Sequence, residues 1–225
     1  MKIIYNVLII DDHQIIIDTF KSALSVVQNE FDGTVFNILE AKCCQSGYDK
    51  IVKNSEFKKI DLVFLDISLP TSTTHKICSG EDLGIEIRKR FPKAKIIVCT
   101  SFNDNTRLNN VFQRINPESF LIKGDIDYKH MITAIKKVLF DKVFFSATVI
   151  NFLRIKVSSS IILNEYDIQI LNEISNGSRM KELVEIIPLS KTAIEKRKRK
   201  LRQVLNVKSD SDRELIQTAR EKGFI

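Results

Sequence analysis

This chain of 225 residues has only four cysteines, Cys43, Cys44, Cys78 and Cys99, with no Cys-x-x-Cys pair and no zinc-type pairing with histidine. A structural zinc site and a disulfide framework are thereby excluded as organising features. No run approaches the roughly 20 apolar residues of a membrane span. No glycine-rich phosphate loop, internal repeat or low-complexity tract is present, which removes the usual nucleotide-binding and solenoid readings. The opening, Met1-Lys2-Ile3-Ile4-Tyr5-Asn6, runs straight into a strand pattern with no small-residue cleavage site, so a cytoplasmic protein without a signal peptide or membrane insertion is expected.

What is present is ordinary in amount and unusual in arrangement. Hydrophobic residues make up 44% and charged residues 28%, as in a typical soluble globular protein. The length suits one large domain or two small ones. A net charge of +7 permits contact with a polyanion without requiring it. Its location is more telling, because Lys196-Arg197-Lys198-Arg199-Lys200 gathers five cations in succession.

Four short apolar runs each end in a polar residue. Val7-Leu8-Ile9-Ile10 stops at Asp11-Asp12, Leu62-Val63-Phe64-Leu65 at Asp66, Ile96-Ile97-Val98-Cys99 at Thr100, and Phe120-Leu121-Ile122 at Lys123. Runs of this kind read as buried parallel strands, with Cys99 as a small core residue. A further strand is expected over Val35–Ala41, and reduced thiols at Cys43-Cys44 near its end. Helical spacing recurs over residues 14–27, 46–57, 80–91, 103–115 and 126–140. Five strands alternating with five helices predict an α/β fold with a doubly wound five-stranded parallel sheet. Ligands of such sheets bind beyond the carboxyl ends of the strands.

That edge therefore collects three carboxylates, a hydroxyl and an ammonium. Mg²⁺ takes oxygen ligands and one or two carboxylates. Asp12 and Asp66 suit direct ligation and Asp11 ligation through water. Asp66 can also attack a phosphoryl group, with Lys123 neutralising charge and Thr100 donating a hydrogen bond. Taken singly, an Asp after a strand is more often a helix cap, and a strand-end Lys is more often solvated. Their joint order favours the functional reading.

In these residues the stretch from Asn6 to about Phe140 resembles the receiver domain of two-component response regulators. The resemblance implies Asp66 as phosphoacceptor, Asp11-Asp12 as the acidic pair, Thr100 and Phe120 as switch residues, and Lys123 as the phosphoryl-binding lysine. It also implies Mg²⁺ held by Asp11, Asp12, Asp66 and the Ser68 backbone carbonyl. Pro70 fits the pattern, as does His13, which in this family usually only follows the acidic pair. Ser68 and Phe102 fall where the family lines the path of the hydrolytic water, and the bulk of Phe102 is expected to slow its entry. Two departures stand out. The matching glycine is Gly80, fourteen residues after Asp66, so residues near Thr71–Lys76 look inserted. Ile115-Asn116-Pro117-Glu118-Ser119 lacks the usual Gly-Ala and is one residue longer.

Residues 143–162 read as a linker carrying a short helix near residues 149–155. From Leu163 only helical patterns remain, over residues 165–176, 179–187, 191–205 and 211–222. Gly177 and Pro188 punctuate the first two junctions. This segment resembles the LuxR/NarL-type helix-turn-helix domain, whose second helix enters the major groove. That helix would start at Ser190. Lys191, Glu195, Lys196 and Arg199 are the candidates for groove-facing contacts, with Arg197 and Lys200 completing the expected DNA-binding set. Lys198, Lys200 and Arg202 are expected on phosphates or the surface. Ala193 and Glu195 depart from the family's usual Thr and Lys. Asn206 replaces its helix-ending glycine, at a position where Asn tolerates a left-handed backbone.

The domain expectation is thus 1–142 receiver, 143–162 linker and 163–225 helix-turn-helix. The functional expectation is a DNA-binding transcription regulator, phosphorylated on Asp66 by a sensor histidine kinase and working as a homodimer on double-stranded DNA. Its only expected catalysis is slow self-dephosphorylation. The rivals are a small aspartyl-phosphate phosphatase and a constitutive DNA-binding dimer whose receiver is never phosphorylated.

Overall fold

The computed structural model describes residues 2–52, 59–70, 79–102, 104–158 and 163–225. The Thr71–Lys76 stretch lies outside the described residues. The chain divides into two compact units, one comprising residues 1–103 and 107–150, the other residues 104–106 and 151–225.

The first unit is built on a parallel sheet of β1 (Ile3–Ile10), β2 (Thr34–Ala41), β3 (Leu62–Leu65), β4 (Lys95–Thr100), β5 (Ser119–Ile122) and β6 (Phe144–Phe145), in the order β2-β1-β3-β4-β5-β6. The sheet has six strands where five were expected. The sixth comes from the segment read as linker: Phe144 and Phe145 pair with Ser119 and Phe120. Two residues are too short a stretch to show alternation, so sequence alone gives no strand signal there.

The helices of this part of the chain are α1 (Gln14–Glu30), α2 (Cys44–Val52), α3 (Gly80–Arg90), α4 (Asn105–Arg114), α5 (Tyr128–Leu139) and α6 (Ala147–Ser158), of which residues 151–158 belong to the second unit. Alternate residues of each strand point to opposite faces. Val7, Ile9, Phe64, Ile97, Cys99 and Leu121 pack with Phe20, Leu24 and Val27 of α1 and with Ala134, Ile135 and Val138 of α5. On the other face Gly47 of α2 lies against Ile10, and Gly84 of α3 against Leu65. Burial on both faces explains the unbroken apolar runs.

The longer loop before β5 is braced from α3. Arg88 donates to the carbonyls of Ile115 and Asn116 and reaches Glu118. Glu118 in turn accepts the amide of Ile96 at 2.7 Å. Asn116 takes a left-handed backbone, φ 49°, which Asn adopts at lower cost than most side chains.

The second unit contains α7 (Glu165–Ser175), α8 (Met180–Ile186), α9 (Lys191–Leu205) and α10 (Asp212–Glu221). Ile170, Leu171, Leu183, Ile194, Leu201 and Leu215 anchor its core. Ser190 caps α9 by accepting the amide of Ala193. Asn206 ends that helix in the left-handed conformation, φ 59°, as its sequence position predicts. Among the described residues no helix is long and apolar enough to cross a membrane.

Candidate phosphoacceptor site and basic helix

Strand register assembles the acidic site. Ile10 pairs with Leu65, so Asp11 and Asp66 emerge side by side, and the Asp66 amide donates to the Ile10 carbonyl at 2.8 Å. The two strands flank the point where the strand order reverses, since β2 lies on one side of β1 and β3 on the other. Ligand crevices open at such a switch point. Thr100 pairs with Ile122, which brings Lys123 to the same edge.

Lys123 Nζ bridges the two carboxylates, 2.8 Å from Asp11 Oδ2 and 2.7 Å from Asp66 Oδ2. The other Asp66 oxygen accepts the Ser68 amide at 2.7 Å, and the other Asp11 oxygen accepts the His13 amide at 2.9 Å. Asp11 and Asp66 are each 2% exposed and Thr100 is fully buried. Burial raises the Asp11 carboxyl above its ordinary value, only partly offset by Lys123. Burial also pulls Lys123 downward, but its bonds to Asp11 and Asp66 together outweigh that and hold the ammonium above its ordinary value.

Asp11, Asp12, His13 and Asp66 present ligand atoms within 4.8 Å of one another. Among the described residues one buried Asp12 oxygen receives no hydrogen bond, although His13 Nδ1 stands 2.8 Å away. Three hard oxygen donors, one of them unsatisfied, fit a divalent cation of the Mg²⁺ type. The Thr100 hydroxyl meets the Ser68 hydroxyl at 2.6 Å and the Phe102 amide at 3.3 Å. The Phe102 ring carries the Arg107 guanidinium 3.5 Å from its centroid. Phe120 is fully buried and packs on Phe112, with ring centroids 5.7 Å apart.

Gly80 opens α3 directly against the end of β3. A Cβ there would stand 2.2 Å from the Asp66 carbonyl oxygen and 2.5 Å from Ile67 Cα. Such closeness requires glycine, in agreement with the sequence match made at Gly80.

On α9, the side chains of Lys191, Glu195, Lys196, Arg199 and Lys200 are exposed. Lys196, Arg199, Lys200 and Gln203 line one open groove of the second unit together with Asn164, Ala193 and Arg197. Their spacing of three and four places them on one helix face. Arg197 is half-buried and also has partners within the unit. It binds Asp167 at 2.8 Å and Asn164 at 3.0 Å, the residues that cap α7. Lys198 and Arg202 likewise converge on Asp212 at the start of α10, each at 2.7 Å. Which cations of a run turn inward depends on acids outside the run, here Asp167 and Asp212. The only sequence signal for Asp167 is its place three residues after Asn164, in a capping box.

A parallel sheet with this order, bearing a carboxylate pair bridged by lysine at its switch point, is the arrangement of a receiver, here followed by a four-helix unit of helix-turn-helix type. The family profile described as response regulator receiver domain matches residues 7–136, and the chain belongs to the response regulators. It is 26% identical to the oxygen regulatory protein NreC of Staphylococcus epidermidis, over 98% of this chain and 99% of that protein. Identity to NreC of Staphylococcus carnosus is 23%, with the same two coverages. The fold is similar to that of RcsB from Salmonella enterica serovar Typhimurium bound to promoter rprA in the presence of phosphomimetic BeF₃⁻. That likeness has a TM-score of 0.63 and 20% identity over 95% of this chain and 97% of that one. An RcsB–DNA complex matches with a TM-score of 0.59 and 23% identity, over 95% and 96% of the respective chains.

Proposed function

We propose that the chain is a DNA-binding transcription regulator controlled by transfer of a phosphoryl group from a sensor histidine kinase to Asp66. The observation that carries this reading is Lys123 Nζ held between Asp11 and Asp66 at 2.8 and 2.7 Å. An ammonium so placed meets both the nucleophile and the equatorial oxygens of an incoming phosphoryl group. The transfer is positional chemistry. An Asp66 carboxylate oxygen forms the new O–P bond as the donor's P–N bond breaks, and the bond pair returns to the donor imidazole. Asp11, Asp12, Asp66 and the Ser68 carbonyl would hold Mg²⁺, which supplies charge neutralisation. Lys123 adds a fixed cation, and Thr100 turns its hydroxyl to a phosphoryl oxygen. Phe120 follows Thr100 and remodels the surface around β5, a local charge change biasing a two-state surface.

Recognition of double-stranded DNA falls to residues 163–225. Lys196, Arg199 and Lys200, with Lys191 and Glu195 at the start of α9, face the groove or its phosphates. Paired half-sites suit a homodimer. Such a regulator works in the cytoplasm, beside the DNA.

Incubation with a small phosphodonor and Mg²⁺, followed by intact mass, oligomeric state and DNA affinity, tests the reading. The wild type should gain one phosphoryl group and bind DNA more tightly, while Asp66→Ala gains none. No gain on the wild type, or an equal gain on the variant, would overturn it.

A further inference from the structure

The contact between Ser68 and Thr100 carries an inference beyond the phosphoacceptor reading and rests on it. Thr100 is fully buried. Among the described residues its hydroxyl oxygen meets two groups, the Ser68 hydroxyl at 2.6 Å and the Phe102 amide at 3.3 Å. The Phe102 N–H can only donate. The Thr100 proton therefore has one acceptor among these residues, the Ser68 oxygen. A buried hydroxyl that fails to donate loses more than the bond itself, because nothing replaces the water it gave up. Among these residues donor accounting sets the direction of the bond: Thr100 donates to Ser68. Ser68 is only partly buried, and its own proton can go to solvent.

A phosphoryl group on Asp66 offers acceptors and no donor. To bind it, Thr100 must take its proton away from Ser68. The two interactions compete for a single hydrogen. We propose that the Ser68 side chain is a resting-state latch on Thr100, a positioning residue that sets how readily the site accepts a phosphoryl group. The Ser68 backbone serves a separate purpose, since its N–H donates to Asp66 Oδ1 at 2.7 Å. Removing only the hydroxyl leaves that bond in place. The side chain is therefore separable from the main chain by substitution.

The test is a calorimetric titration of the full chain with beryllofluoride in excess Mg²⁺, using wild type, Ser68→Ala, Ser68→Thr, Thr100→Ala and the double variant Ser68→Ala/Thr100→Ala. Loss of one neutral hydrogen bond from the resting state should tighten binding by about two- to tenfold in Ser68→Ala. Ser68→Thr keeps the hydroxyl and should restore the wild-type value. In the Thr100→Ala background the Ser68 substitution should have no effect, because no proton remains to be competed for. Unchanged or weaker binding by Ser68→Ala, or an equal gain without Thr100, would overturn the latch and leave the phosphoacceptor reading standing. A wild type that neither binds beryllofluoride nor gains a phosphoryl group would overturn both.

Discussion

Arg197 and Asp167 lie 2.8 Å apart across thirty residues of sequence, with Asp167 itself 4% exposed. The pair fastens the basic helix α9 to the capped start of α7. On the proposed reading, Arg197 then has a structural role that Lys196 and Lys200 lack. Arg197→Ala should therefore destabilise the helical unit by about 3 kcal/mol, since it strands a buried carboxylate. Lys196→Ala and Lys200→Ala should leave unfolding by urea nearly unchanged and weaken DNA binding. If each meets one phosphate, each flattens the slope of log affinity against log salt by about 0.9. Urea melts and salt titrations distinguish the two groups.

Gly80→Ala tests the junction between α3 and β3. The added methyl meets backbone on both sides, at 2.2 and 2.5 Å, and backbone cannot swing aside as a flexible side chain can. Overpacking of this kind costs about 1–3 kcal/mol. The Asp66–Ile67 peptide must shift with it, so mass spectrometry should also record slower phosphorylation.

Much of this site is legible in the sequence because a parallel register converts strand ends into neighbours. Asp11, Asp66, Thr100 and Lys123 need no long-range information beyond four apolar runs and their order. Other features depend on pairings the sequence does not encode locally. Phe144–Phe145 becomes a strand only because β5 offers an open edge. Arg197 turns inward only because Asp167 waits there. Ser68 meets Thr100 across thirty-two positions. The sequence marks Ser68 as a residue, but its bond to Thr100 is set by the fold.

Lys123→Met should show how strongly the two carboxylates depend on the ammonium. Asp66 and Asp11 are nearly wholly buried, and losing their shared cation in metal-free buffer at neutral pH should cost about 3–5 kcal/mol. The pH dependence has a defined sign. Asp11 is raised in the folded chain, so the fold binds its proton more tightly than the unfolded chain does. Stability therefore falls as pH climbs from the ordinary Asp value through the raised one. Lys123 is also raised, so its contribution is complete below the ordinary Lys value and is lost as pH climbs through the raised one. As pH falls through the raised Asp11 value, urea melts of the variant should move closer to the wild type, as a protonated Asp11 no longer requires the ammonium.

Phe102→Ala should speed hydrolysis of the aspartyl phosphate. The ring is held under the Arg107 guanidinium at 3.5 Å, a cation–π contact that fixes its orientation. On the reading that this position lines the water's path, removing the ring opens the path. A decay of phosphorylated mass no faster than wild type would show that Phe102 does not obstruct it.

Asp125, two residues after Lys123, grips the head of α6. Its Oδ2 accepts the Thr148 amide at 2.8 Å and its Oδ1 the Thr148 hydroxyl at 3.0 Å. Nearby, the Ser146 hydroxyl accepts the Ile122 amide at 3.1 Å and the Ser146 amide donates to the Phe120 carbonyl at 3.0 Å. The first turn of α6 is thus tied to the stretch that holds Phe120 and Lys123. Orphan amides at a helix start are stabilised by such an acceptor. Burial acts to raise the Asp125 carboxyl, but the bonds from Thr148 and Ser146 outweigh it and lower the value. A lowered acid contributes stability above its unfolded value and loses it as pH falls through the folded one. Asp125→Ala should cost about 1 kcal/mol, as loss of a helix cap does, and Asp125→Asn less, because the amide oxygen still accepts. Hydrogen exchange at Thr148 should rise in the same order. Equal protection in all three proteins would show that the α6 head is held by Ser146 alone.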